Sequence, residues 1–151
     1  MRRLSGVLLA GAVLILPAFS QTAFAQTPPQ KTTYSGDVVV VAYTINADKV
    51  GDYEKVLTTL KDSLSKSQRP EAKQQLAGWK VVKNSMAQPD GSFLYFHIIN
   101  PVKDADYSIT NLVYEVVTDP GERTNFYNLY RGALKAALFV IQGPVVADFS
   151  K

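Results

Sequence analysis

One histidine, one tryptophan and eight tyrosines are the side chains of this 151-residue chain with the most chemistry to offer. His97 lies in the run Ser92 to Ile99 (SFLYFHII). As the only histidine in a chain without cysteine it cannot build a His- or Cys-based metal cluster, and no metal site is expected. Its chemical reading is a general base or an axial haem ligand. Its structural reading is a neutral, hydrogen-bonded imidazole in a mostly apolar strand, which its neighbours favour. Trp79 together with Tyr43, Tyr95 and Tyr107 could line a pocket for a flat apolar ligand, although aromatic residues on strands also serve as core. Asp104 and Asp106 are close enough for paired-carboxylate chemistry, yet they stand where a helix should begin and acids commonly cap. Asp148 is the oddest acid. Burial in an apolar last strand would raise its pKa, whereas an edge strand would leave it in water. No nucleophile elbow, Gly-rich phosphate loop, zinc spacing or cofactor fingerprint is present, so no cofactor is expected.

The elements that must position these residues follow from periodicity. Val38 to Ile45 (VVVVAYTI) is β-branched, aromatic and uncharged, and predicts a strand. Asn46 or Asp48 can cap the helix that follows. Over Lys49 to Ser65, Val50, Tyr53, Leu57, Leu60 and Leu64 recur at three- and four-residue steps, one buried stripe with a charged opposite face. Pro70 interrupts it, and Glu71 to Leu76 predicts a short turn of helix ending at Gly78. Trp79 to Met86 and Ser92 to Ile99 flank Pro89-Asp90-Gly91, the signature of a hairpin. Asp104 or Asp106 should open a short helical piece carrying Ile109, Leu112, Val113 and Val116. Glu122 to Leu138 predicts a second main helix, and Val145 to Phe149 a last short edge strand after Gly143-Pro144. The order is strand, helix, strand, strand, helix, strand: an α+β, ferredoxin-like βαββαβ domain over residues 37–151 with an extra helical segment.

The N-terminus carries an address. Arg2 and Arg3 precede an uncharged apolar stretch from Val7 to Leu16, Pro17 breaks it, and Ala23-Phe24-Ala25 offers small residues at the positions a signal peptidase reads. Residues 1–25 are expected to be a signal peptide cleaved before Gln26, giving a periplasmic or secreted protein. The apolar run is shorter than the roughly 20 residues of a membrane span, so no stable membrane insertion is expected after cleavage. Residues 26–36 (QTPPQKTTYSG) read as a flexible leader. The whole chain has 16 basic and 13 acidic residues. Losing Arg2 and Arg3 leaves 14 against 13, a balance of +1, without the clustered stripe that nucleic acid requires. With no disulfides available, stability must come from an apolar core.

Two apolar strand faces set a further constraint. In the run 92–99 one face would carry Phe93, Tyr95, His97 and Ile99, and the other Leu94, Phe96 and Ile98. In the run 38–45, Val38, Val40 and Ala42 face one way and Val39, Val41, Tyr43 and Ile45 the other. Helices on one side leave the second set needing cover, and each exposed large side chain would forfeit roughly 1.5–3 kcal/mol. A second subunit packed sheet to sheet is the expected cover, giving a homodimer. The alternative is that the piece 104–117 folds across the open face.

This pattern resembles the dimeric α+β barrel superfamily, which includes antibiotic-biosynthesis-type monooxygenases, haem-degrading enzymes and stress-responsive proteins. The element order over 37–149 carries that likeness. Lys73-Gln74-Gln75 with Gly78-Trp79-Lys80-Val81, Asn100-Pro101-Val102 and Ala105-Asp106-Tyr107 resemble small exported bacterial proteins without an established activity. The resemblance implies a small apolar ligand in the barrel interior, or a cofactor-independent oxygenase using that cavity with Asn84, Trp79 and His97 as the residues to test. A structural or stress-related dimer with a filled core is the remaining reading.

Overall fold

The uncharged run Val38–Ile45 forms strand β1 at the centre of a computed structural model that describes residues 30–150. The expected signal peptide lies outside the described residues. After β1 come a 3-10 turn (Ala47–Lys49), helices α1 (Val50–Lys66) and α2 (Ala72–Gly78), and strands β2 (Trp79–Lys83) and β3 (Phe93–Ile99). Helices α3 (Ile109–Tyr114) and α4 (Pro120–Ala133) and strand β4 (Leu134–Gly143) complete the order. The four strands make one sheet in the order β2-β3-β1-β4, with every neighbouring pair antiparallel. The class is α+β.

The amphipathic stripe of α1 buries Tyr53, Leu60 and Leu64 as its periodicity requires, with Val56 buried beside them and Val50 and Leu57 half-buried. The caps differ from expectation. Neither Asn46 nor Asp48 caps α1, because the 3-10 turn intervenes and the Asn46 amide is drawn instead to the carbonyls of Gly132 and Ala133. Helix α3 starts from Ser108, not from Asp104 or Asp106. Asp106 serves as a bracket: its carboxylate accepts from the backbone N–H of Thr32 and Ser108 and from the Asn111 amide. Part of the predicted leader is therefore anchored. Tyr107 donates its N–H to Thr32 (2.7 Å), and the Tyr34 ring packs 5.4 Å from that of Tyr107. At Gly36, φ is +91° and a Cβ would stand 2.8 Å from the Gly143 carbonyl oxygen, so only glycine fits where the leader crosses β4.

The largest departure lies at the C-terminal end. Helix α4 stops at Ala133, and the last strand is Leu134–Gly143, not Val145 to Phe149. The run LKAALFVI satisfies both periods, and its alanines and leucines favour a helix locally. Pairing with β1 from Val38↔Gly143 to Ile45↔Leu134 outweighs that preference, at the cost of two register shifts. Val145 to Phe149 continues beyond the sheet with Asp148 exposed, its carboxylate accepting from Ser150.

Pairing registers assign the two faces. Trp79 and Val81 of β2, Tyr95, His97 and Ile99 of β3, and Val39, Val41, Tyr43 and Ile45 of β1 share the face under the helices. The other face carries Val82, Leu94, Phe96, Ile98, Val40, Phe139 and Ile141. Helix α3 does not cross that second face. Ile109, Leu112 and Val113 join Val56, Leu60, Leu64, Ala72 and Phe126 in the helical layer. Val82, Phe139 and Ile141 accordingly keep 49%, 44% and 60% of their surface exposed.

The α4 start gives the fold its clearest local test. The Asp119 carboxylate accepts from the Glu122 N–H at 2.8 Å, and Pro120 stands where no N–H is needed. Asp119→Ala should cost about 1 kcal/mol in urea unfolding, and Asp119→Asn much less. Equal losses would show that the cap bond is not what matters there.

Candidate functional site

Antiparallel pairing aligns His97 with Val41 on one side and Val81 on the other, and the α1 stripe lays Tyr53 across it. His97 is 1% exposed and both its ring nitrogens are engaged. Trp79 Nε1 lies 3.0 Å from Nδ1, and the Tyr53 hydroxyl 2.7 Å from Nε2. An indole N–H only donates, so Nδ1 accepts, Nε2 carries the proton, and the Tyr53 oxygen accepts it. The imidazole is neutral. Burial pushes its pKa down to about 4, and a proton on Nδ1 would also confront the indole N–H.

Tyrosines surround this chain. Tyr43 meets the imidazole edge-on at 5.2 Å, and Tyr53 meets Tyr95 edge-on at 5.0 Å. Burial raises the pKa of Tyr43, with the neighbouring Tyr130 hydroxyl adding to it, and burial likewise raises Tyr53. Burial pushes Tyr34 up to about 12. Tyr95 reaches past the core to donate to Glu54 at 2.9 Å. That bond, with a second from Lys83 at 3.2 Å, lowers the Glu54 carboxyl. Tyr107 packs 5.5 Å from Trp79 and accepts from the Val102 N–H.

The structure thus gathers Trp79, His97, Tyr43, Tyr95 and Tyr107 on one face, the face under the helices. All five lie on the opposite side of the sheet from the surface a second subunit would cover. Asn84 is not part of this group. It follows β2, its backbone N–H bonds Leu94 and its side chain accepts from Met86, at the other end of the strand from Trp79. His97 has no free nitrogen and no route to solvent with which to act as a base.

The opening in this region belongs to Trp79. With its N–H turned inward to His97, the indole forms one wall of a groove between α1, α2 and the edge strand β2. The groove has a volume of about 290 Å³ and is lined by Leu57, Leu60, Lys61, Leu64, Leu76, Trp79 and Val81. The α1 stripe predicted Leu57, Leu60 and Leu64 of this wall, but not that β2 would stand clear enough of α1 to leave a gap. A wider depression of about 460 Å³ at Tyr34, Pro101, Lys103 and Gln142 is more polar. Among the described residues no group of three or more His, Cys, Asp or Glu side chains could hold a metal ion. Nor is any helix among them long and apolar enough to cross a membrane.

The neutral imidazole makes a pH test. Between pH 6.5 and about 4 the unfolded chain takes up a proton at this histidine that the folded chain refuses. Stability therefore rises with pH through that window: it is full above 6.5 and falls on acidification towards 4. The loss is on the order of 3 kcal/mol. In urea unfolding from pH 7 to 4, the stability difference between wild type and His97→Gln should shrink accordingly, because carboxylates titrate in both. A difference that does not vary with pH would mean that the folded chain protonates this ring as readily as the unfolded one.

No family model, curated protein or solved structure matches this chain.

Proposed function

We propose that this protein is an exported binding module that takes a small apolar molecule into the Trp79 groove. The observation that carries the reading is the groove itself. Six of its seven lining residues are apolar, and its volume is near the lower end of the roughly 300–1,000 Å³ typical of ligand sites. This differs from a ligand held inside the barrel, since the aromatic side chains lie under the helices. An oxygenase using His97 and Asn84 finds no support in the geometry: the imidazole is fully engaged and Asn84 is remote from it.

The chain has a single tryptophan, so emission excited selectively at the indole, clear of the eight tyrosines, reports on the groove. The neutral probe N-phenyl-1-naphthylamine should quench Trp79 by energy transfer, with saturation at micromolar concentration. Val81→Phe, which fills the groove, should weaken binding at least ten-fold while the far-UV spectrum is unchanged. Unaltered affinity in that variant would remove the groove as the site.

The same reading includes a ferredoxin-like subunit that pairs across its helix-free face into a dimeric α+β barrel. The strand order β2-β3-β1-β4, with α1 and α4 on one side, supports the subunit. The half-buried Phe96 and Ile98 and the exposed Phe139 and Ile141 support the pairing, because water against their open surface would forfeit several kcal/mol. Sedimentation velocity at micromolar concentration should give twice the subunit mass, and Ile98→Glu a single subunit. A wild-type monomer would sink the barrel but not the groove, which lies on the other side of the sheet.

A further inference from the structure

The groove carries one charge, and it lies where an amphipathic ligand would need it. Lys61 is exposed at the rim, four residues on from Leu57 and three before Leu64, so its ammonium flanks the apolar stripe of α1. Lys83, on the same face of β2 as Trp79 and Val81, is committed to Glu54 at 3.2 Å, and Lys80 stands on the opposite face of the sheet. Among the described residues Lys61 makes no hydrogen bond or ion pair, and no carboxylate shares the groove lining with it. The interior offers nothing polar to read a polar body. The indole N–H, the one polar atom of Trp79's side chain, is already given to His97.

We infer that the groove's ligand is an amphipathic anion, an alkyl chain ending in a carboxylate, whose chain lies against Leu57, Leu64, Leu76 and Trp79 and whose head pairs with Lys61. This rests on the groove being a binding site and deepens that reading by naming the ligand class. A chain of modest length suits the volume of about 290 Å³. The charged end stays at the rim in water, so neither the ammonium nor the carboxylate has to be desolvated. The head therefore selects the ligand more than it strengthens binding, and the apolar chain supplies most of the affinity.

Decanoate and decanol share a chain and differ at the head, and both are read by Trp79 fluorescence at pH 7.5. Decanoate should bind about five-fold more tightly, as an exposed ion pair allows. That preference should narrow in high salt as the pair is screened. Lys61→Met should bring the ratio of decanoate to decanol affinity to about one, and Lys61→Glu should invert it. Both substitutions are on the exposed face of α1 and leave the core intact. Equal binding of the two ligands to wild type would overturn the inference while leaving the groove a site, with the lysine stem merely shielding apolar surface. A preference that survives in Lys61→Met would overturn it too, by assigning the head to another group. No response to either ligand would take down both the inference and the groove reading.

Discussion

A single imidazole, accepting from Trp79 and donating to Tyr53, joins helix α1 to strands β3 and β2 through one buried chain of hydrogen bonds. Every other feature of the helix-covered face is arranged around it. A polar atom at 1% exposure that lost its partner would cost about 1–3 kcal/mol, so the three side chains hold one another in place. Trp79 is the member with consequences outside the core. Because its N–H is tethered inward, the remainder of the indole stands as a fixed wall beside Leu76 and Val81. The groove is a by-product of that tether and of an edge strand that α1 does not fully cover.

The two faces of the sheet divide the molecule by chemistry. Under the helices lie the histidine and the tyrosines, each polar tip matched to a partner such as Glu54 or the Val102 N–H. The opposite face is aliphatic apart from Phe96, Phe139 and the polar ends of Thr44 and Lys80. Strand β4 sharpens the contrast. It has β1 on one side and no neighbour on the other, and Leu138, Phe139, Val140 and Ile141 are all more than two-fifths exposed. An open apolar edge of that length invites association with another chain. The proposed binding on one face and the proposed pairing on the other would therefore use different side chains.

Strand β1 and the stripe of α1 were legible because each obeys only one period. VVVVAYTI has no helical alternative with comparable propensity, and the charges between Val50 and Leu64 leave a single apolar side. The β2–β3 hairpin was legible from Pro89-Asp90-Gly91, where Gly91 takes φ +80° and bonds back to Gln88. Leu134–Gly143 was not, since its residues suit both periods and the choice was made by β1, some ninety residues earlier. The roles of Asp106 and Asn46 were hidden for the same reason. Asn46 gave up a local cap for carbonyls that only folding brings near, and Asp106 added the distant Thr32 N–H to its local bonds with Ser108 and Asn111. Of the candidate site, the aromatic membership was readable but its grouping was not: Asn84 dropped out and Lys61, read as part of a wet helix face, came in.

Residue order alone determined that the sheet would be apolar on both sides, because alternate positions in β1 and β3 are both free of charge. It also determined that an amphipathic helix would cover one side. Which side, and hence whether His97 would be buried among tyrosines or turned to the helix-free face, was decided only by tertiary structure. A period-two pattern with two apolar sets has no polarity to orient it, and the choice falls to strand register and to the side on which α1 crosses back.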